Sequence, residues 1–179
     1  MRIIAGTAKG LTLLGPKTDS IRPVLDKVKG AIFNILYDVS GKTILDLFAG
    51  TGSIGLEALS RGAASATFVD NSPEALKIVR ENLKRAKFEN NSQILKVRLP
   101  FRRWTDTPSQ FDLIFNDPPY DRRLVHPTIE AIVREKLLAP AGIVIVEHSP
   151  RETIEDIEGL TLTDQRKYGQ TLISFLKGI

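Results

Sequence analysis

The 179-residue chain has no cysteine, one methionine, one tryptophan and two histidines. Without cysteine it can build no disulfide framework, no thiolate zinc site and no cysteine nucleophile. His126 and His148 stand apart from any run of metal-ligating residues, so no metal is expected. No apolar run approaches the roughly 20 residues of a membrane-spanning helix, and residues 1–6 are interrupted too soon for a signal peptide. The expected class is a protein of the cytoplasm, with no membrane partner. A strong charge of either sign is also missing. Against 21 Asp and Glu stand 25 Lys and Arg, a net charge of +4, which permits a nucleic-acid partner without demanding one. The length suits one domain.

What is present is alternation. β-Branched and apolar runs at residues 43–48, 66–70, 93–97, 111–116 and 143–147 read as strands, several of them apolar nearly throughout, as in strands covered on both faces. Helical patterns lie between them. Ser72 and Pro73 form an N-cap and first helical position, followed by Leu76, Val79, Leu83 and Ala86 at helical spacing. Residues 54–60 form a shorter helix with Gly62 as its stop, and residues 24–39 carry Val28, Ile32, Ile35 and Val39 on one face. The pattern predicts an α/β protein with a mainly parallel sheet. Residues 160–166 and 171–176, joined around Tyr168-Gly169-Gln170, predict a terminal hairpin and hence an antiparallel last strand. Residues 1–23 read as a basic, turn-rich leader with a short hairpin, ahead of a domain over residues 24–179. Residues 77–103 hold nine Lys and Arg against two Glu, and residues 147–164 hold six acids against Arg151. Solvated faces are the ordinary reading of such runs.

The segment from Asp46 to Gly55 is the most informative. A strand ends, three glycines follow at G-x-G-x-x-G spacing, and a helix begins. Glycine lets the chain turn sharply and approach a ligand, and the third glycine lets the helix pack on its strand. Such a turn can hold a pyrophosphate. Asp46, four residues before Gly50, works against that reading, because a carboxylate there suits a ligand with a cationic end. Asp70, at the end of the second strand, is placed to accept both hydroxyls of a ribose, or to serve as the acid of a helix N-terminus. Together these residues favour a nucleoside cofactor without a diphosphate.

After the fourth strand comes Asn116-Asp117-Pro118-Pro119-Tyr120. The prolines stiffen the backbone at the carboxyl end of a strand, where open α/β sheets bind ligands. This signature resembles that of S-adenosylmethionine-dependent methyltransferases acting on exocyclic amino groups of bases. The chain as a whole is similar to the family that methylates guanine N2 in small-subunit (16S) ribosomal RNA. The likeness runs through residues 1–6, Lys9-Gly10, Arg22-Pro23, residues 31–36, 46–55, 57–63 and 112–115, Asp117 to Tyr120, and Tyr168-Gly169. It departs at Val24, at Lys29-Gly30, and at Arg98-Leu99-Pro100, where an acid that contacts the cofactor's adenine would stand.

The resemblance implies a Rossmann-like methyltransferase fold: a seven-stranded, mostly parallel sheet with an antiparallel last strand and helices on both faces. Asp46, Phe48, Ala49, Gly50, Thr51 and Gly52 would surround the methionine part of S-adenosylmethionine. Asp70 would bind its ribose, with Asn71, Leu99 and Asn116 completing the cofactor set. Asp117, Pro118 and Tyr120 would form the catalytic pocket, the first two accepting the amino hydrogens and Tyr120 stacking on the extruded base. Arg22, Lys27, Lys29, Arg102 and Arg103 are candidates for RNA phosphate contacts. Ribosomal RNA, free or within an assembled small subunit, is the expected partner of a monomeric enzyme. Transfer to adenine N6 or another amine of DNA, RNA or protein remains the alternative. A nicotinamide-dependent oxidoreductase would leave Asp117 to Tyr120 without a role.

Overall fold

The structure is a computed structural model that describes residues 1–16, 23–105, 110–154 and 157–179. In chain order the elements are α1 (Pro23–Leu36), β1 (Thr43–Leu47), α2 (Ser53–Ser60), β2 (Ser65–Asp70), α3 (Pro73–Ala86), β3 (Ser92–Lys96), β4 (Phe111–Asn116), α4 (Val125–Arg134), β5 (Leu138–His148), β6 (Leu160–Tyr168) and β7 (Thr171–Gly178). The strands make one seven-stranded sheet in the order β3-β2-β1-β4-β5-β7-β6. The first five strands run parallel to one another. β7 runs antiparallel between β5 and β6. The expected antiparallel last strand is therefore present, lying between β5 and its hairpin partner β6, which forms the sheet edge.

Alternation along the strands divides the core in two. Ile44, Phe68, Leu113, Phe115, Ile145 and Phe175 point to the face covered by α1, α2 and α3. Leu45, Leu47, Val69, Ile114, Val144 and Val146 point to the other face, under Ile129 and Ile132 of α4. Period-2 alternation forces this division, and burial on both sides accounts for the continuous apolar runs. Trp104 packs edge-on against Phe101 and Phe111 at the rim of the second layer, with ring centroids 5.5 and 5.9 Å away. It caps that apolar rim.

The helix signals held at α2 and α3. The Ser72 hydroxyl accepts the Ala75 N–H with Pro73 in the first turn. Past α2, Gly62 takes φ 98°, Gly62 N–H donates to the Leu59 carbonyl and Ala63 N–H to that of Ala58. That pair of bonds is a Schellman closure. The first helix is shorter than residues 24–39: it stops at Leu36 because Tyr37 turns left-handed at φ 61°. Val28, Ile32 and Phe33 are its buried face, while Ile35 is 39% exposed and Val39 is buried from the following turn. α4 carried no cap signal, and its N-cap Leu124 makes no side-chain cap bond.

The described start of the chain, residues 1–13, packs into the core through Ile3 and Leu13. Arg2 and Thr12 form a single isolated antiparallel bridge. Ile3 is fully buried. The Glu57 carboxylate of α2 accepts the N–H groups of Ile4 and Ala5, at 2.7 and 3.1 Å. Arg61 donates to the same carboxylate at 2.7 Å, and Lys29 stands 3.6 Å away. A fully buried carboxylate needs such partners, and removing it would leave the others unpaired inside the protein. Glu57→Ala is expected to lower the unfolding free energy by about 3–5 kcal/mol, read from urea denaturation.

Candidate active site

β1 ends in a turn that ordinary residues adopt only under constraint. Phe48, Gly50 and Gly52 all have positive φ, at 59°, 54° and 75°. A left-handed phenylalanine carries backbone strain, of the kind found where a ligand site over-determines the chain. Gly55 explains the third glycine: a Cβ there would stand 2.4 Å from the Phe68 ring of β2. Helix α2 can therefore lie close on the sheet and aim its first turn at the end of β1. There the Asp46 carboxylate accepts the Gly55 N–H at 3.0 Å. Asp46 is buried, and desolvation pushes its pKa up to about 7; the Gly55 bond opposes the shift and the charge of Asp70 adds to it.

Asp70 closes the turn from the neighbouring strand. Its two carboxylate oxygens accept the N–H groups of Gly50 and Ser72, each at 2.9 Å. It thereby ties the glycine turn to the start of α3, and each oxygen keeps a lone pair for a ligand.

The Asp117-Pro118-Pro119-Tyr120 segment leaves the end of β4 beside this turn. Pro118 is buried, whereas Asp117, Pro119 and Tyr120 face the cleft. Although Asp117 is open to the cleft, its carboxyl is crowded by protein. Desolvation, then the charges of Glu147 and Asp46, hold its pKa well above the usual carboxylate range. The Tyr120 hydroxyl donates to Glu147 Oε1 at 2.9 Å and lies 2.6 Å from Thr171 Oγ1. This fastens the ring to β5 and β7 with one face toward the cleft.

Two cavities meet here. The first, about 520 Å³, has Asp70, Asn71 and Leu99 among its lining residues, together with Pro118, Tyr120 and Leu124. The second, about 220 Å³, is lined by Met1, Lys29, Asp46, Ala49, Thr51 and Ser53 among others. Phe48, Asp117 and Glu147 line both and form the wall they share.

The structure thus brings Asp46, Phe48, Ala49, Thr51, Asp70, Asn71, Leu99, Asp117, Pro118 and Tyr120 to one place, with Gly50 and Gly52 shaping the turn. Asn116 lines neither cavity. It is 1% exposed beneath the motif, and its side-chain amide has no partner among the described residues. Lys29 corrects the expectation of an RNA contact. It is 2% exposed and donates to the Arg2 carbonyl and Ser53 Oγ, at 2.8 and 2.9 Å, between the carboxylates of Asp26 and Glu57. An ammonium committed to four internal oxygens is an internal tie, not a phosphate hook. Lys27, Arg102 and Arg103 are exposed and lie outside the cavity walls; Arg22 is outside the described residues. Glu147 was missed. It ends a strand like Asp46 and Asp70, but its place beside Asp117 follows only from β4 pairing with β5.

A family profile described as Conserved hypothetical protein 95 matches residues 1–177. The chain belongs to this family. It is similar to Ribosomal RNA small subunit methyltransferase D of Haemophilus influenzae, 31% identical over 172 residues that cover 94% of this chain and 89% of the relative. The Escherichia coli K12 protein of the same name is 34% identical over 148 residues, covering 82% and 74%. Among solved structures, the candidate methyltransferase yhhF of Escherichia coli superposes with a TM-score of 0.84 at 28% identity, over 99% of this chain and 97% of that one. The candidate methylase HI0767 of Haemophilus influenzae gives 0.78 at 28% identity, over 99% and 98%. The chain is a methyltransferase of this family, and its mixed seven-stranded sheet is the fold these relatives share.

The raised pKa of Asp46 makes the site costly for the empty fold. Its carboxyl is ionised in the unfolded chain above 3.8 but in the folded one only above about 7. The folded state therefore loses stability as pH rises from about 4 to about 7, and the loss is constant above that. Asp46→Asn keeps an acceptor for Gly55 and removes the charge. The variant is expected to gain on the order of 4 kcal/mol over wild type at pH 8, with the gain vanishing by pH 4. Unfolding curves across that range check it.

Proposed function

We propose that this methyltransferase transfers a methyl group from S-adenosylmethionine to the exocyclic N2 of a guanine in small-subunit ribosomal RNA. Relatives named for small-subunit ribosomal RNA methylation support the substrate class. The observation that carries the reaction is the shared wall of the two cavities, where Asp117 and Glu147 stand beside the buried carboxyl of Asp46. Three acids in one low-dielectric place suit a cationic ligand, and S-adenosylmethionine is a sulfonium.

The residues fit that cofactor. Asp46 and the strained turn from Phe48 to Gly52 would hold its charged methionine part, Asp70 its ribose, and Asn71 and Leu99 its adenine side. When bound, the cofactor supplies an electrophilic methyl group on a neutral thioether leaving group. A guanine amino group is a weak nucleophile because its lone pair is delocalised into the ring. The Asp117 carboxylate and the Pro118 carbonyl would each accept one amino hydrogen and turn the lone pair toward the methyl carbon, so that catalysis is mainly alignment. As the nitrogen gains positive charge these acceptors bind it more tightly, and Asp117 takes the proton afterwards. Tyr120, fastened by its hydroxyl, offers a ring on which the extruded base stacks. With Lys29 committed internally, Lys27, Arg102 and Arg103 are left, among the described candidates, to meet phosphates. The setting we infer is the cytoplasm, where a monomer acts on an assembled small subunit.

Nucleoside mass analysis after incubation with isotopically labelled cofactor tests the reading. Label in N2-methylguanosine of small-subunit RNA is expected, whereas label in N6-methyladenosine would overturn it. Asp117→Ala should lower turnover at saturating cofactor by at least about 100-fold, while cofactor binding stays measurable by calorimetry.

A further inference from the structure

The reaction described above gives Glu147 only a share in the charge of the cleft and no contact with the base, although it faces the same cavities as Asp117. Strands β4 and β5 run parallel, with Phe115 beside Ile145 and Asn116 beside Val146. One residue further on, Asp117 leaves the sheet beside Glu147, which is still paired with Ile173 of β7, so the two acids are neighbours at the carboxyl ends of adjacent strands. Their carboxyls are held differently. Glu147 Oε1 accepts the Tyr120 hydroxyl at 2.9 Å, and that hydroxyl is also tied to Thr171 Oγ1 at 2.6 Å. Glu147 is thus oriented from β7 through Tyr120, while a carboxylate has about four lone-pair directions and this bond uses one.

Two acceptors side by side match only some base edges. Guanine presents its N1–H next to its 2-amino group, so donors are adjacent. Adenine presents its 6-amino group next to N1, which is a lone pair and would be repelled by a second carboxylate. We propose that Glu147 accepts the guanine N1–H beside the amino hydrogens taken by Asp117 and Pro118, and so selects guanine over adenine. This rests on the guanine-N2 reading and adds to it the residue that reads the base. Hydrogen bonding to a buried charged acceptor discriminates strongly, because the wrong base leaves that acceptor unpaired. Burial raises the pKa of Glu147 while the Tyr120 bond acts in the opposite sense, consistent with a carboxylate that gains from one more N–H donor.

The test uses 2,6-diaminopurine, which keeps the 2-amino group of guanine but carries a lone pair at N1. Small subunits are reconstituted with RNA bearing either guanine or diaminopurine at the nucleotide that wild-type enzyme methylates, and kcat/KM is measured on each. Wild type should prefer guanine by at least about tenfold. Glu147→Gln keeps the side-chain length and an oxygen for Tyr120, and its amide can donate to the diaminopurine N1. It should lose about 10- to 100-fold on guanine but little on diaminopurine, so that the preference collapses or reverses, with the cofactor saturating in every assay. An equal loss on both bases, or no loss on guanine, would overturn the proposal and leave Glu147 a mere anchor for Tyr120. A wild-type enzyme that labels adenine N6 overturns the guanine reading instead, and is seen before any variant is made.

Discussion

The hydrogen bond from Gly55 to the buried carboxyl of Asp46 is the constraint on which the site depends. It holds the first turn of α2 at the end of β1, and the strained Phe48 and the left-handed glycines follow from closing so short a path. It also leaves an acid where water cannot solvate it well. Asp117 and Glu147 deepen that imbalance, since each raises the cost of ionising the other. A protein that tolerates three carboxyls in one cleft stores an affinity for positive charge, and a sulfonium cofactor relieves it. Poor stability of the empty site and good binding of the proposed ligand thus have one physical cause.

A second buried electrostatic cluster does the opposite work. Glu57, Lys29, Arg61 and the N–H groups of Ile4 and Ala5 neutralise one another within the protein. The cluster binds the leader to α2 and brings Met1 to the wall of the smaller cavity, where the Thr51 hydroxyl reaches its sulfur at 3.4 Å. Residues 1–5 are therefore tied into the fold by their backbone, and under the proposed function RNA recognition would fall to the exposed surface around the cleft.

Most of the fold was legible because its signals are local. Apolar strand runs, the Ser72-Pro73 cap, the stop at Gly62 and the terminal hairpin each depend on residues within a few positions of one another. The failures are where local preference yields to packing. Tyr37 ends α1 early by a left-handed turn, Ile35 lies off the buried face, and α4 forms on its apolar stripe without a capping side chain. Lys29 failed as a phosphate contact for the same reason: a lysine's burial is set by what folds over it, here the leader and α2.

The sequence by itself determined the βα alternation, the glycine turn with Asp46 before it, and the Asp117 to Tyr120 motif, because each is written within one short segment. Only the tertiary structure decided that β5 lies against β4. Strand order is a matter of which long-range pairings bury both faces of the sheet, and no local spacing encodes it. That pairing puts Glu147 beside Asp117 and turns a single acid into a pair of adjacent acceptors.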